Sequence, residues 1–101
     1  MTQLNMFARS ELEQQFERFH AENPHVYRLF CQFAFEVIRA GHRRFSARTI
    51  WERMRWELRV QTRRSGAFKL NDHYPPYYSR LFAKDHPEHA GLFSFRRVRG
   101  E

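Results

Sequence analysis

Cysteine is almost missing from this 101-residue chain: Cys31 is the sole thiol, which excludes an intramolecular disulfide and a cysteine-rich zinc site. Long apolar runs are missing as well. None approaches the roughly 20 residues that cross a bilayer, and residues 1–5 lack the basic-then-apolar order of a secretion signal. A reduced, soluble, cytoplasmic setting is the expectation. Glycine is scarce, with four residues scattered at positions 41, 66, 91 and 100, so there is no glycine-rich phosphate loop. Lysine is scarcer still, two residues against sixteen arginines. No internal repeat, low-complexity stretch or interdomain linker is visible.

Charge is abundant, and it is unevenly placed. Residues 1–40 sum to −1 and residues 41–101 to +8, giving the net +7 of the whole chain. A positive field confined to one part of a small protein favours a polyanion, either nucleic acid or an acidic protein surface. It raises encounter rate and non-specific affinity without conferring specificity. Aromatics are abundant too: eleven Phe, four Tyr and two Trp supply large side chains for one core. A hydrophobic content of 42% argues against disorder and for a single domain of ordinary size.

Periodicity divides the chain into four helical segments. Ser10 and Glu13 have the spacing of a capping box, and Leu12, Phe16 and Phe19 then mark an amphipathic helix to about residue 22. Residues 1–9 are left as an N-terminal arm, 10–98 as the compact domain and 99–101 as a tail. Asn23 and Pro24 restart the chain, since Asn caps well and Pro suits the first helical position. From there to Ala40 the polar residues His25, Arg28, Gln32, Glu36 and Arg39 form one narrow stripe on an otherwise apolar helix, the signature of a central element. Gly41 is its natural C-cap. Ser46 caps a helix over 47–59 with Ala47, Ile50, Trp51, Met54 and Leu58 buried. Residues 60–67 are polar and basic, with Ser65 and Gly66 as a turn, and 68–70 form a short extended segment. A last helix starts at Pro75 or Pro76 and runs to Lys84, burying Tyr78, Leu81 and Phe82. His86 and Pro87 end it. Residues 92–98 alternate as a strand, expected to pair with a short strand at 43–45. The fold class expected is therefore mainly α with a small β element (α+β): four helices and a short two-stranded sheet.

This order is similar to that of winged helix-turn-helix domains. The run Phe45-Ser46-Ala47-Arg48-Thr49-Ile50-Trp51-Glu52-Arg53-Met54-Arg55 resembles the opening of their turn motif, with a Ser cap after a strand and an Ile-Trp pair pointing inward. The run Tyr78-Ser79-Arg80-Leu81-Phe82 ahead of Gly91-Leu92-Phe93 is similar in kind. The connection from Arg59 to Asn71 is longer than the three or four residues usual there. Asn23-Pro24-His25-Val26-Tyr27, Phe68-Lys69-Leu70-Asn71 and His86-Pro87-Glu88 also resemble small uncharacterised proteins of bacteria and their phages, over roughly residues 10–97. That second resemblance implies a compact domain in a mobile-element setting and brings no activity.

The winged-helix resemblance implies DNA binding by a small regulator. The candidate contacts are Arg43, Arg44, Arg48, Arg55, Arg63, Arg64, Lys69, Arg80, Lys84, Arg96, Arg97 and Arg99, because a guanidinium grips phosphate bidentately and can read guanine. Asn71, His73, Tyr77 and Arg80 fall where a recognition helix would meet base edges, and Arg96, Arg97 and Arg99 would form the wing. The bland alternative, a solvated basic face, is outweighed by the clustering and by the preference for arginine. A homodimer would extend the contact. Two rival functions remain open: RNA binding, and a module whose basic, aromatic face engages an acidic protein partner.

Other chemistry is weaker. Asp85, His86, Glu88 and His89, with Asp72 and His73, have metal-ligand types, but Pro87 interrupts the helix that would align them and no HExxH pattern accompanies them. A surface turn is the better reading, and no metal or cofactor is expected. Cys31 lies in the most apolar helix, where packing is its expected role rather than nucleophilic attack. Ser46 and Ser79 lack His–acid partners, so an enzyme is not expected. Trp56 points away from the Ile50, Met54 and Leu58 face. Cover by residues 60–70 is the favoured expectation, and a partner contact the alternative.

Overall fold

The structure is a computed structural model. It describes residues 2–61 and 70–93, with side chains described over 11–60 and 70–93. Four α-helices follow one another: α1 (Thr2–Glu22), α2 (Pro24–Arg39), α3 (Ala47–Gln61) and α4 (Pro75–Asp85), then a 3₁₀ turn at Pro87–His89. No strand occurs among the described residues. The expected α+β class with a two-stranded sheet is thus corrected to an all-helical arrangement.

Backbone hydrogen-bonding explains the correction. Gly41, at φ +100°, closes α2 in a left-handed turn: its N–H bonds the Ile38 carbonyl at 2.9 Å, and the His42 N–H bonds Val37 at 3.1 Å. Only glycine takes that φ without strain. Five residues on, Ser46 opens α3: its Oγ accepts the Thr49 N–H at 3.2 Å, and its carbonyl accepts the Ile50 N–H at 3.3 Å. The two caps occupy both ends of residues 41–46. One bond is left between the segments expected to pair, from the Phe45 N–H to the Leu92 carbonyl at 2.9 Å. Leu92 directs its own N–H to His89 at 3.0 Å, inside a turn. Among the described residues the two segments share a single bond rather than a ladder; residues 94–98 of the expected strand lie outside the described residues.

A second correction concerns the start of the fold. The capping box at Ser10 would begin a helix there, yet α1 passes through Ser10 from Thr2. Neither proline nor glycine precedes Asn23, so nothing in residues 2–22 interrupts helical propagation. Asn23 makes the break: its N–H and its Nδ2 both donate to the Phe19 carbonyl, at 2.8 and 3.0 Å, capping the end of α1. Pro24 then opens α2 as expected.

α2 packs against α1, α3 and α4. It buries Val26, Phe30, Phe33 and Ala34, while His25, Arg28, Gln32 and Arg39 of its polar stripe are exposed. α3 contributes Ile50, Trp51 and Met54 to the core, and α4 contributes Tyr78 and Phe82, with Leu81 half-buried. Tyr78 is the hub: its ring lies 4.8 Å from Phe16, 5.7 Å from Phe30 and 5.5 Å from Trp51, centroid to centroid. Such pairs add about 0.5–1.5 kcal/mol each beyond the area they bury. Leu92 and Phe93 close the bottom of this core, Phe93 against Phe30 at 5.2 Å and Phe82 at 5.5 Å.

Candidate nucleic-acid interface

The residues named from sequence fall into three groups. Arg43 and Arg44 sit exposed on the link between α2 and α3, and Arg48 is exposed in the first turn of α3. No acidic residue stands in that first turn, and no ion pair among the described residues engages these three guanidiniums. A helix N-terminus carries roughly half a positive charge from its unpaired N–H groups, and phosphate binds there readily. Three exposed arginines thus fall within the six residues of chain that lead into an end already favourable to anions. A cleft of about 380 Å³ opens beside Arg43 and is lined in part by His42, Glu88 and His89.

Arg55 behaves differently. Its Nη1 donates to both carboxylate oxygens of Glu52, at 2.8 and 2.9 Å, and its Nη2 donates to Asp72 and, at 3.4 Å, to the Leu70 carbonyl. The Asp72 hydrogen bond pushes the Arg55 pKa up further. This guanidinium clamps α3 to the segment that leads into α4. Asn71 is likewise engaged in building the fold: its Oδ1 accepts the His73 N–H at 2.8 Å and its carbonyl accepts the Tyr74 N–H at 3.1 Å, forming the turn before α4.

His73, in the turn before α4, is exposed; on α4, Arg80 and Lys84 are exposed and Tyr77 is half-buried. Tyr77 stacks on Phe16 of α1 at 5.0 Å and 19°, and the Arg80 guanidinium lies over the Tyr77 ring at 5.8 Å. Helical spacing brings Tyr77, Arg80 and Lys84 to one side of α4, so a basic face exists, with its aromatic member committed to α1. Arg63, Arg64, Lys69, Arg96, Arg97 and Arg99 lie outside the described residues.

Two arginines of α3 stand outside the candidate contact set. Arg53 reaches back to α2, bonding Glu36 at 2.9 Å and covering the Phe33 ring at 4.1 Å, so it is structural. Arg59 is exposed and joins Arg48, Glu52 and Arg55 in a single stripe along α3, at spacings of four, three and four. That periodicity was the available signal. Trp56 adjoins the stripe and is 66% exposed, so the expectation of a covered indole is not met.

Burial, foremost, pushes the Cys31 thiol up and outweighs the opposing influence of the Tyr27 hydroxyl beside it. Tyr27 donates to Asp85 Oδ2 at 2.7 Å, tying α2 to the end of α4; burial and that bond raise its pKa. The His86 and His89 rings pack edge-on against Phe35, at 4.9 and 5.6 Å. Among the described residues no group of three or more His, Cys, Asp or Glu side chains is arranged to hold a metal ion. None of the described helices is long and apolar enough to cross a membrane. No family model, curated protein or solved structure matches the chain.

Proposed function

We propose that this chain is a non-enzymatic nucleic-acid-binding domain that grips a phosphate backbone, DNA in the first instance, through the N-terminal end of α3. The observation that carries the reading is the trio Arg43, Arg44 and Arg48, exposed and without an ion pair among the described residues, beside a helix end with no acidic residue in its first turn. Arg80 and Lys84 on α4 supply a second basic edge. Arg55 and Asn71 are removed from the contact set, because their polar groups are engaged inside the fold. Contacts of this kind fix position on the duplex and carry no sequence information by themselves.

Fluorescence anisotropy of a labelled random duplex tests the reading. Micromolar or tighter binding at low salt that weakens steeply towards physiological salt is expected, as released counterions require. Absence of binding at low salt contradicts it and turns the basic face towards an acidic protein partner.

A further inference from the structure

α3 carries a feature that phosphate binding does not use. Trp56 and Val60, 66% and 54% exposed, are the large hydrophobic residues left in solvent among those described. They stand four residues apart, on one side of the helix. Trp51, one turn earlier on the opposite side, is 1% exposed, so the two indoles of the chain differ completely in access. The surroundings of Trp56 are cationic. Arg59, three residues on, and Arg48, two turns back, are both exposed, and no ion pair among the described residues engages either. Of the acids beside it on α3, Glu52, one turn back, is already held by Arg55 at 2.8 Å, and Glu57, next in the chain, is half-buried. An open indole face flanked by unpaired guanidiniums is poorly matched to an apolar protein surface, which would leave those charges stranded. It matches a chain with π-faces and phosphates in alternation.

We propose that the exposed face of α3 is a stacking platform for single-stranded nucleic acid: one unpaired base lies on Trp56, with Arg48 and Arg59 on the phosphates to either side. The inference rests on the nucleic-acid reading above and names the strand form. Duplex bases are already stacked on one another and cannot lie on the indole, so the platform favours single strands.

The test uses the full chain, labelled homopolymers of thymidine and of uridine of roughly 15 nucleotides, and a random duplex of equal length. Single strands should quench the exposed Trp56 and shield it from acrylamide, while Trp51 stays inaccessible throughout. Trp56→Ala should weaken single-strand binding about tenfold, the usual cost of losing one base–aromatic stack, and change duplex binding less than about twofold. Trp56→Phe should restore most of the loss. The comparison of the two homopolymers tells DNA from RNA. Duplex binding that survives with no effect of Trp56→Ala on single strands overturns the platform and leaves the phosphate-binding reading standing. Equal losses on both forms, acrylamide-inaccessible Trp56 in the free protein, or concentration-dependent dimerisation abolished by Trp56→Ala each overturn it as well. Failure of every nucleic acid to bind overturns both readings.

Discussion

Arg55 shows how far a residue's type can mislead about its task. By sequence it belongs with the other arginines of α3; in the fold it bridges two carboxylates and a backbone carbonyl. Its side chain is partly exposed, so the clamp contributes on the order of 1 kcal/mol. Arg55→Ala should lower the urea midpoint accordingly and leave affinity for duplex DNA nearly unchanged, whereas Arg48→Ala should do the reverse. The two tryptophans provide a second contrast: Trp51→Ala should cost about 3–5 kcal/mol by opening the core, and Trp56→Ala within about 0.5 kcal/mol. Tyr78 is a third case. Its hydroxyl is buried without a hydrogen-bond partner, so Tyr78→Phe, which keeps the ring, should be neutral or stabilising in chemical denaturation. Burial also raises the Tyr27 and Tyr78 pKa values above the ordinary 10.0. Both groups then hold their protons in the native state at pH values where the unfolded chain has lost them. Stability should be unaffected by these groups below about pH 10 and fall as pH rises beyond it, less steeply in Tyr78→Phe. None of these partnerships was legible in the sequence, because Arg55 meets Asp72, and Arg53 meets Glu36, across 17 positions.

At the scale of elements, the sequence was most informative where backbone chemistry is local. Ser46 and Gly41 announce their caps through side-chain type alone, and both act as expected. Ser46→Ala should cost about 1 kcal/mol. Gly41→Ala should cost a similar amount, since its φ of +100° is a conformation other residues rarely take; nothing lies within 4 Å of the added methyl, so the loss would be backbone strain rather than collision. Both appear as a lowered denaturant midpoint with an unchanged slope. Ser10 shows the limit of the same logic: a capping box is only a start signal if the chain before it is not helical. The sheet was over-read for a related reason. Alternation at 92–98 and a basic stretch at 43–45 suggested strands, but the chain has only four Val and two Ile, and among the described residues the caps on either side leave residues 41–46 one backbone bond to that segment. The helices themselves were visible because 3.6-residue periodicity survives in a single sequence.

For the whole molecule, the governing quantity is where unpaired positive charge resides. Of the excess of eight in residues 41–101, five belongs to residues 62–69 and 94–101, outside the described part. Among the described residues from 41 on, pairing sets Arg53 and Arg55 apart, leaving Arg43, Arg44, Arg48 and Arg59 on or beside α3 and Arg80 and Lys84 on α4. The charge asymmetry was fully legible in the sequence; its division into structural and available cations was not, because pairing depends on how the helices pack. The most direct test is the salt dependence of duplex binding for the unaltered chain and for Arg43→Ala, Arg44→Ala and Arg48→Ala combined. Three phosphate contacts at the end of α3 predict that the slope of log affinity against log salt becomes shallower by about 2–3 in the triple variant, with helix content unchanged. An unaltered slope, or no duplex binding at low salt by either protein, would contradict the account.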